Sequence, residues 1–313
     1  MNRTRRIWQT VLEDWLGRPL EITDLEVIRD WSSSQVIRLS TRLNGQSENI
    51  YGKLARDGGD AELGIYELAA QVPDFPAPVG CGRLIQGERW LLLRQAQGVP
   101  LYQTKDPEQY RAAAQALAAF HQLGNMAGWA TRLPSLPSLV DHLQQLVPTI
   151  CDRVQGEVTG GAFSNVDLDL LCEVESDLLW NWEALRGVLA CYPINLLHGD
   201  AHSGNLFIDG GKIQLIDWAG AALGPGMLDL VGLIDTGLRM NEPLGDPQDL
   251  LQAYWSCLSA KARQQYAAPR EAYQVLRICR ALLELDWFTQ SGDDYGERTN
   301  RELNIIQESL WAL

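Results

Sequence analysis

Lysine is scarce in this chain: of 313 residues four are lysine, at 53, 105, 212 and 261, so a lysine inside an apolar run stands out. Long apolar runs are missing too. Even Val188 to Leu197 falls short of the roughly 18 uncharged apolar residues a membrane span needs, and it soon meets His198 and Asp200. The six cysteines, at 81, 151, 172, 191, 257 and 279, form no C-x-x-C pair and no ladder with histidine. That removes zinc ribbons and disulfide scaffolds and leaves small, reduced, buried hydrophobes. No internal repeat and no low-complexity tract is present, which excludes solenoids, collagen and coiled coils. Arg3, Arg5 and Arg6 before Ile7 to Leu16 superficially imitate a secretory leader. Gln9, Glu13 and Asp14 interrupt its apolar part, and a cytoplasmic protein is expected.

What remains is an ordinary globular composition, 46% hydrophobic and 21% charged, long enough for two lobes. The charge is unevenly placed. Residues 1–97 carry 12 Lys+Arg against 13 Asp+Glu and residues 98–313 the other 14 against 27, so nearly all of the net −14 lies in the second part. A field of that sign repels phosphate backbones and anionic membrane surfaces and would concentrate a cationic small molecule.

From Glu21 to about Gln95 the chain reads as short β runs, Leu25–Arg29, Gln35–Leu43, Ile50–Leu54, Gly80–Ile85 and Arg89–Leu93, with turns at Asn44-Gly45, Asp57-Gly58-Gly59 and Gln86-Gly87. One helix interrupts them, from near Asp60 until Pro73 and Pro76 stop it. After Gln97-Gly98 helical periodicity dominates, over 106–123, 136–150, 166–189, 246–265 and 268–290. The expected fold is α+β: an N-terminal β-rich lobe over 1–97 with one helix, then a larger, mainly helical lobe over 98–313. Inside the helical part, Ile194 to Leu230 holds two short apolar runs, Ile194–Leu197 and Ile213–Ile216, each followed at once by polar or acidic residues.

Those strand ends carry the chemistry. His198-Gly199-Asp200-Ala201-His202-Ser203-Gly204-Asn205 is followed, twelve residues after Asn205, by Asp217 in Leu215-Ile216-Asp217-Trp218. Phosphoryl transfer from ATP needs a carboxylate to orient and deprotonate an acceptor hydroxyl, and hard oxygen ligands to hold Mg²⁺ against the phosphates. Asp200 fits the first role, Asn205 and Asp217 the second. Two carboxylates and a carboxamide suit Mg²⁺ or Mn²⁺ rather than zinc.

With these motifs the sequence resembles the aminoglycoside phosphotransferase and choline kinase-like group, small-molecule relatives of the protein kinases. His198, Gly199, Asp200 and Asn205 match H-G-D-x-x-x-x-N, Ile216-Asp217-Trp218 matches the following hydrophobic-Asp motif, and Gly224-Pro225 with Asp229-Leu230 matches a further Asp-Leu feature. The resemblance covers roughly residues 20 to 310. It implies a protein-kinase-like bilobal fold and transfer of the γ-phosphoryl of ATP, with Mg²⁺, to a hydroxyl of a small molecule.

Lys53, within Ile50-Tyr51-Gly52-Lys53-Leu54, becomes the lysine that reaches the phosphates, and Glu62 in the next helix the carboxylate that holds it. The phosphate-covering loop falls on Trp31-Ser32-Ser33-Ser34, which has no glycine, so Ser32, Ser33 and Ser34 stand in for a Gly-rich loop. Adenine is expected at Leu92 to Gly98, on backbone groups around Gln95 and Gln97. The resemblance makes His198 a scaffold for the catalytic loop and Asp229 a structural partner of that loop's backbone. His121, on a helix with apolar neighbours, reads as a core histidine. Acids and aromatics late in the chain, Asp286, Trp287, Asp293 and Asp294, are the acceptor-site candidates, and the acidic excess favours an amine-bearing acceptor. A neutral sugar or sugar-amine acceptor, or an inactive nucleotide-binding module, stays open. The missing A-P-E segment and the short interval from Asp217 to Asp229 weigh against a protein kinase.

Overall fold

The computed structural model describes residues 3–30, 34–55, 60–123, 133, 136–266 and 268–313. Its first part is a five-stranded antiparallel sheet of β1 (Glu21–Asp30), β2 (Ser34–Leu43), β3 (Gln46–Ala55), β4 (Gly80–Ile85) and β5 (Glu88–Arg94), in the order β1-β2-β3-β5-β4. Asn44-Gly45 and Gln86-Gly87 both take positive φ, as tight hairpin turns require. Helix α1 (Arg3–Leu16) covers one face of the sheet and helix α2 (Asp60–Ala69) the other.

Period-two alternation in β5 explains this layering. Trp90 and Leu92 point into a small core with Trp8, Leu12, Ile37 and Ile50. Leu91 and Leu93 point the opposite way, into a core shared with Ile65, Tyr66 and the helical part of the chain. The sequence suggested one helix in this lobe; α1 is a second. Trp8 and Leu12, four apart, lie on one face of α1, and the Trp8 ring meets Trp90 edge-on at 4.9 Å.

The rest is a larger helical lobe: α3 (Leu101–Thr104), α4 (Pro107–Phe120), α5 (Leu139–Leu146), α6 (Ile150–Thr159), α7 (Leu168–Cys191), α8 (Met227–Arg239), α9 (Pro247–Cys257), α10 (Ala260–Gln265), α11 (Pro269–Ser291) and α12 (Gly296–Trp311). The α+β, two-lobed expectation is met. The single helix expected over 246–265 is broken into α9 and α10, because Ser259 accepts a hydrogen bond from Ala262 N and starts a new helix. On α7, Trp182 is buried and Trp180 exposed, as residues two apart on a helix must diverge. The cysteines are not all buried as expected: Cys151 and Cys279 are, but Cys172, Cys191 and Cys257 lie on exposed positions of helices, where a small side chain is tolerated at no packing cost.

Two small sheets, one of two strands and one of three, sit among the helices. β7 (Ile194–Leu197) pairs antiparallel with β10 (Ala222–Pro225), and β8 (Leu206–Asp209) pairs with both β6 (Val99–Pro100) and β9 (Lys212–Leu215). Residues 198–205 and 216–221 are the loops between them.

Candidate active site

The 198–205 loop is pinned from below by one carboxylate. Asp229, in the first turn of α8, accepts hydrogen bonds from His198 N at 2.8 Å and Gly199 N at 2.9 Å. Its second fixed partner is His121 Nε2, at 3.1 Å, while His121 Nδ1 meets the Tyr254 hydroxyl at 2.9 Å. Burial alone would lift the Asp229 carboxyl, but the His121 bond and the neighbouring imidazoles bring it below the ordinary carboxylate value. His121 is thus a satisfied core histidine that also orients the aspartate holding the loop.

His198 is fully buried and ties the two loops together. Its Nδ1 accepts from Asp200 N at 3.3 Å, so Nε2 carries the proton and donates to Ile216 O at 2.8 Å. Burial depresses its pKa, consistent with a neutral ring. Gly199, at φ 80°, brings the first loop against the second: a Cβ there would lie 1.8 Å from Gly220 O.

This scaffold presents Asp200 and Asn205 side by side. Asn205 Nδ2 donates to Asp200 O at 3.0 Å and to Asp200 Oδ2 at 3.2 Å, leaving the Asn205 amide oxygen available as a hard ligand. Ile216 N donates to Asn205 O at 3.0 Å, which places the neighbouring Asp217 next to the same loop. Asp217 itself adopts a left-handed conformation, φ 64°, ψ 63°, between β9 and a short 3₁₀ turn. The Asn205 carboxamide and the Asp217 carboxylate are hard oxygen donors, the kind that suits a hydrated Mg²⁺, while His202 Nε2 stands 3.6 Å from Asp200 Oδ2.

Lys53 and Glu62 pair as expected. Nζ lies 2.9 Å from Glu62 Oε1 and 2.8 Å from Oε2, and it also contacts Asp217 Oδ1. Burial disfavours charge on Lys53, but the Glu62 and Asp217 carboxylates outweigh it and hold the ammonium above the usual lysine value. Asp217 is held low against burial chiefly by Lys53. Arg29 Nη1, from β1, approaches Asp217 Oδ2 at 3.8 Å.

Of the serine loop, Ser32 and Ser33 lie outside the described residues. Ser34 opens β2, buried, with its hydroxyl accepting from Arg29 Nη2 at 3.3 Å. At the lobe crossing, Gln95 N donates to Asn49 O at 3.2 Å and Gln97 N to Gln214 Oε1 at 2.7 Å. Both N–H groups are therefore engaged within the protein, and a purine there has their carbonyls or must displace Gln214.

The late acids are engaged elsewhere. Asp286 receives Arg153 Nη1 at 2.6 Å and His142 Nε2 at 3.2 Å, and Asp294 accepts from Ser164 N at 2.9 Å and Gly296 N at 3.1 Å. Asp293 meets the Tyr295 hydroxyl at 3.4 Å, and Trp287 is exposed, its ring edge-on to Phe288 and Tyr295. Among the described residues, the one that α11 does bring to the 198–205 loop by a hydrogen bond is Arg280, absent from the sequence reading. It donates to Gly199 O at 2.9 Å and to Asp200 Oδ1 at 3.4 Å, and it pairs with Glu284 one turn on.

The chain belongs to the phosphotransferase enzyme family, whose model matches residues 49–268. No curated protein matches it. Among solved structures it is similar to an ethanolamine kinase of Plasmodium vivax, with 12% identity and a TM-score of 0.64, covering 98% of this chain and 87% of that one. It is also similar to an ADP-bound aminoglycoside phosphotransferase, at 14% identity and TM-score 0.59, with 97% of each chain covered. A third, a spectinomycin phosphotransferase with ADP and spectinomycin, gives 14% identity and TM-score 0.56 over 97% of this chain and 93% of that one. At these identities the likeness establishes the fold, a protein-kinase-like pair of lobes.

Proposed function

We propose that the protein transfers the γ-phosphoryl group of ATP to a hydroxyl of a small molecule. The observation that carries this reading is the convergence of Lys53, Glu62, Asp217, Asn205 and Asp200 from four separate segments, held by the contacts of Lys53 to both carboxylates and of Asn205 to Asp200.

Each residue then has a role. Lys53, kept protonated by Glu62 and Asp217, binds phosphate oxygens. Asn205 and Asp217 hold Mg²⁺, which neutralises phosphate charge when bound. Asp200 orients the acceptor hydroxyl and takes its proton as the oxygen attacks phosphorus and the bond to the β-phosphate oxygen breaks, releasing ADP. Asp229, His198 and His121 hold Asp200 in place. The relatives of known structure that bind ADP or an aminoglycoside support ATP as donor and a small hydroxyl compound as acceptor.

The amine-bearing acceptor inferred from charge finds no support at the late acids, since Asp286 and Asp294 are already engaged by protein donors. Binding of ADP followed by thermal shift with and without Mg²⁺ tests the nucleotide site. Wild type should gain Mg²⁺-dependent stability and Asp217→Ala should lose that gain; no gain in wild type contradicts the reading.

A further inference from the structure

We infer that the acceptor carries an anionic group, a carboxylate or a phosphate, which docks on arginines of the cavity beside Asp200; this rests on the phosphotransferase reading of that site. The cavity, about 260 Å³, lies between α8, α11 and α12 and is lined by Asp235, Arg239, Arg277, Arg280, Glu284 and Arg301 among others. Arg280 links it to the 198–205 loop, because this lining residue also donates to Asp200 Oδ1 at 3.4 Å. Its volume lies just below the roughly 300–1,000 Å³ of pockets for drug-sized ligands, which suits a small metabolite.

Its charge differs from the rest of the lobe. Residues 98–313 have 14 Lys+Arg against 27 Asp+Glu, yet four of those 14 cations stand on this one wall, matched by four acids. Three of the acids are occupied. Asp235 takes the Tyr273 hydroxyl at 2.9 Å and Arg277 Nε at 3.3 Å, Glu302 takes Arg301 Nη2 at 2.8 Å, and Glu284 takes Arg280. The fourth, Glu308, is exposed to solvent, where salt screens it.

The guanidinium groups are not used up in the same way, since each has five N–H donors in a fork that matches two oxygens of an anion. Arg277 meets Asp235 through Nε, which leaves both Nη groups; Arg239 donates to the neutral Thr236 hydroxyl, at 3.1 Å, and interacts with Glu302 through charge alone, with its other donors in no hydrogen bond among the described residues. Arg277 and Arg280 are three residues apart on α11, a rise of about 4.5 Å. A hydroxyl at Asp200 and an anionic group at Arg277 and Arg239 would therefore belong to one short molecule.

The test is ADP release from Mg²⁺-ATP with hydroxy acids, hydroxy amino acids and glycerol phosphate set against choline, ethanolamine, aminoglycosides and glycerol. Turnover should be confined to the anionic compounds, the carboxylate and phosphate arms telling which anion is taken. Arg239→Ala and Arg277→Lys should raise the acceptor KM at least tenfold, about 1.4 kcal/mol, while the KM for ATP hardly moves. Best turnover with a cationic or neutral acceptor, or an unchanged acceptor KM in both variants, overturns the inference. Should every compound be silent, inorganic phosphate added to protein saturated with Mg²⁺-ADP decides it. A rise in melting temperature over chloride of equal ionic strength, lost in Arg239→Ala, supports the anion site, and no rise overturns it. Retained ADP binding with no anion effect sinks this inference alone; loss of ADP binding sinks the phosphotransferase reading.

Discussion

Gly199 and Gly220 meet backbone to backbone, so closely that a Cβ on Gly199 would lie 1.8 Å from the Gly220 carbonyl oxygen. The glycine of the His-Gly-Asp run is therefore what lets the loop bearing Asp200 close against the turn that follows Asp217. Gly199→Ala combines a φ of 80° with that overlap. The backbone strain alone costs about 1–3 kcal/mol, and relieving the overlap must displace Asp200. Activity should be lost and the melting temperature should fall. Gly210→Ala, also at positive φ but with nothing within 4 Å of its Cβ, should lose only part of that stability and keep turnover. Equal effects of the two variants would show that the close approach is unimportant.

Burial keeps His198 below its ordinary pKa despite the pull of Asp229 and Asp200, so the folded protein resists protonating it while the unfolded chain takes a proton near pH 6.5. Below that pH the unfolded state binds more protons, and stability must fall as pH falls. Asp229, held below the ordinary carboxylate value, adds a further loss on stronger acidification, below about pH 4. The melting temperature should be flat above about pH 7 and decline from pH 6.5 to 5. His198→Asn should lower it overall but flatten that segment; an unchanged slope in the variant contradicts the assignment.

Lys53 is the one cation that contacts both Glu62 and Asp217 among the described residues. Lys53→Met leaves two carboxylates facing each other in a mostly buried site, at a cost of about 3–5 kcal/mol for uncompensated buried charge. Glu62→Gln should cost less, because Asp217 still balances the ammonium. Urea unfolding ranks the two variants, and the reverse order would mean the lysine is not what stabilises the pair.

Much of the candidate site's geometry was legible because it is local in sequence. The spacing from Asp200 to Asn205 spans one loop, Asp217 follows the end of β9 twelve residues later, and a lone lysine in an apolar strand points to a partner in the following helix. The Arg280 contact spans some eighty residues and leaves no local trace, and an arginine on a helix face reads as ordinary surface. Only the face formed by Tyr273, Arg277, Arg280 and Glu284, at spacings of four, three and four, hinted that α11 turns a polar stripe inward. The same blindness applied to Asp286: its acid-aromatic neighbourhood suggested a ligand, while the Arg153 and His142 that engage it come from helices far earlier in the chain. Helix α1 did carry a usable signal, the four-residue spacing of Trp8 and Leu12.

In the proposed reaction Asp200 orients the acceptor hydroxyl and accepts its proton, with nucleotide held by other residues. The most direct measurement is Mg²⁺-ATP turnover of Asp200→Asn with an accepted hydroxyl compound, beside ADP affinity in the same variant. The variant should show a kcat lower by roughly 10²–10⁴, the usual contribution of a positioned general base, with ADP affinity near wild type. Turnover close to wild type in Asp200→Asn would contradict that role.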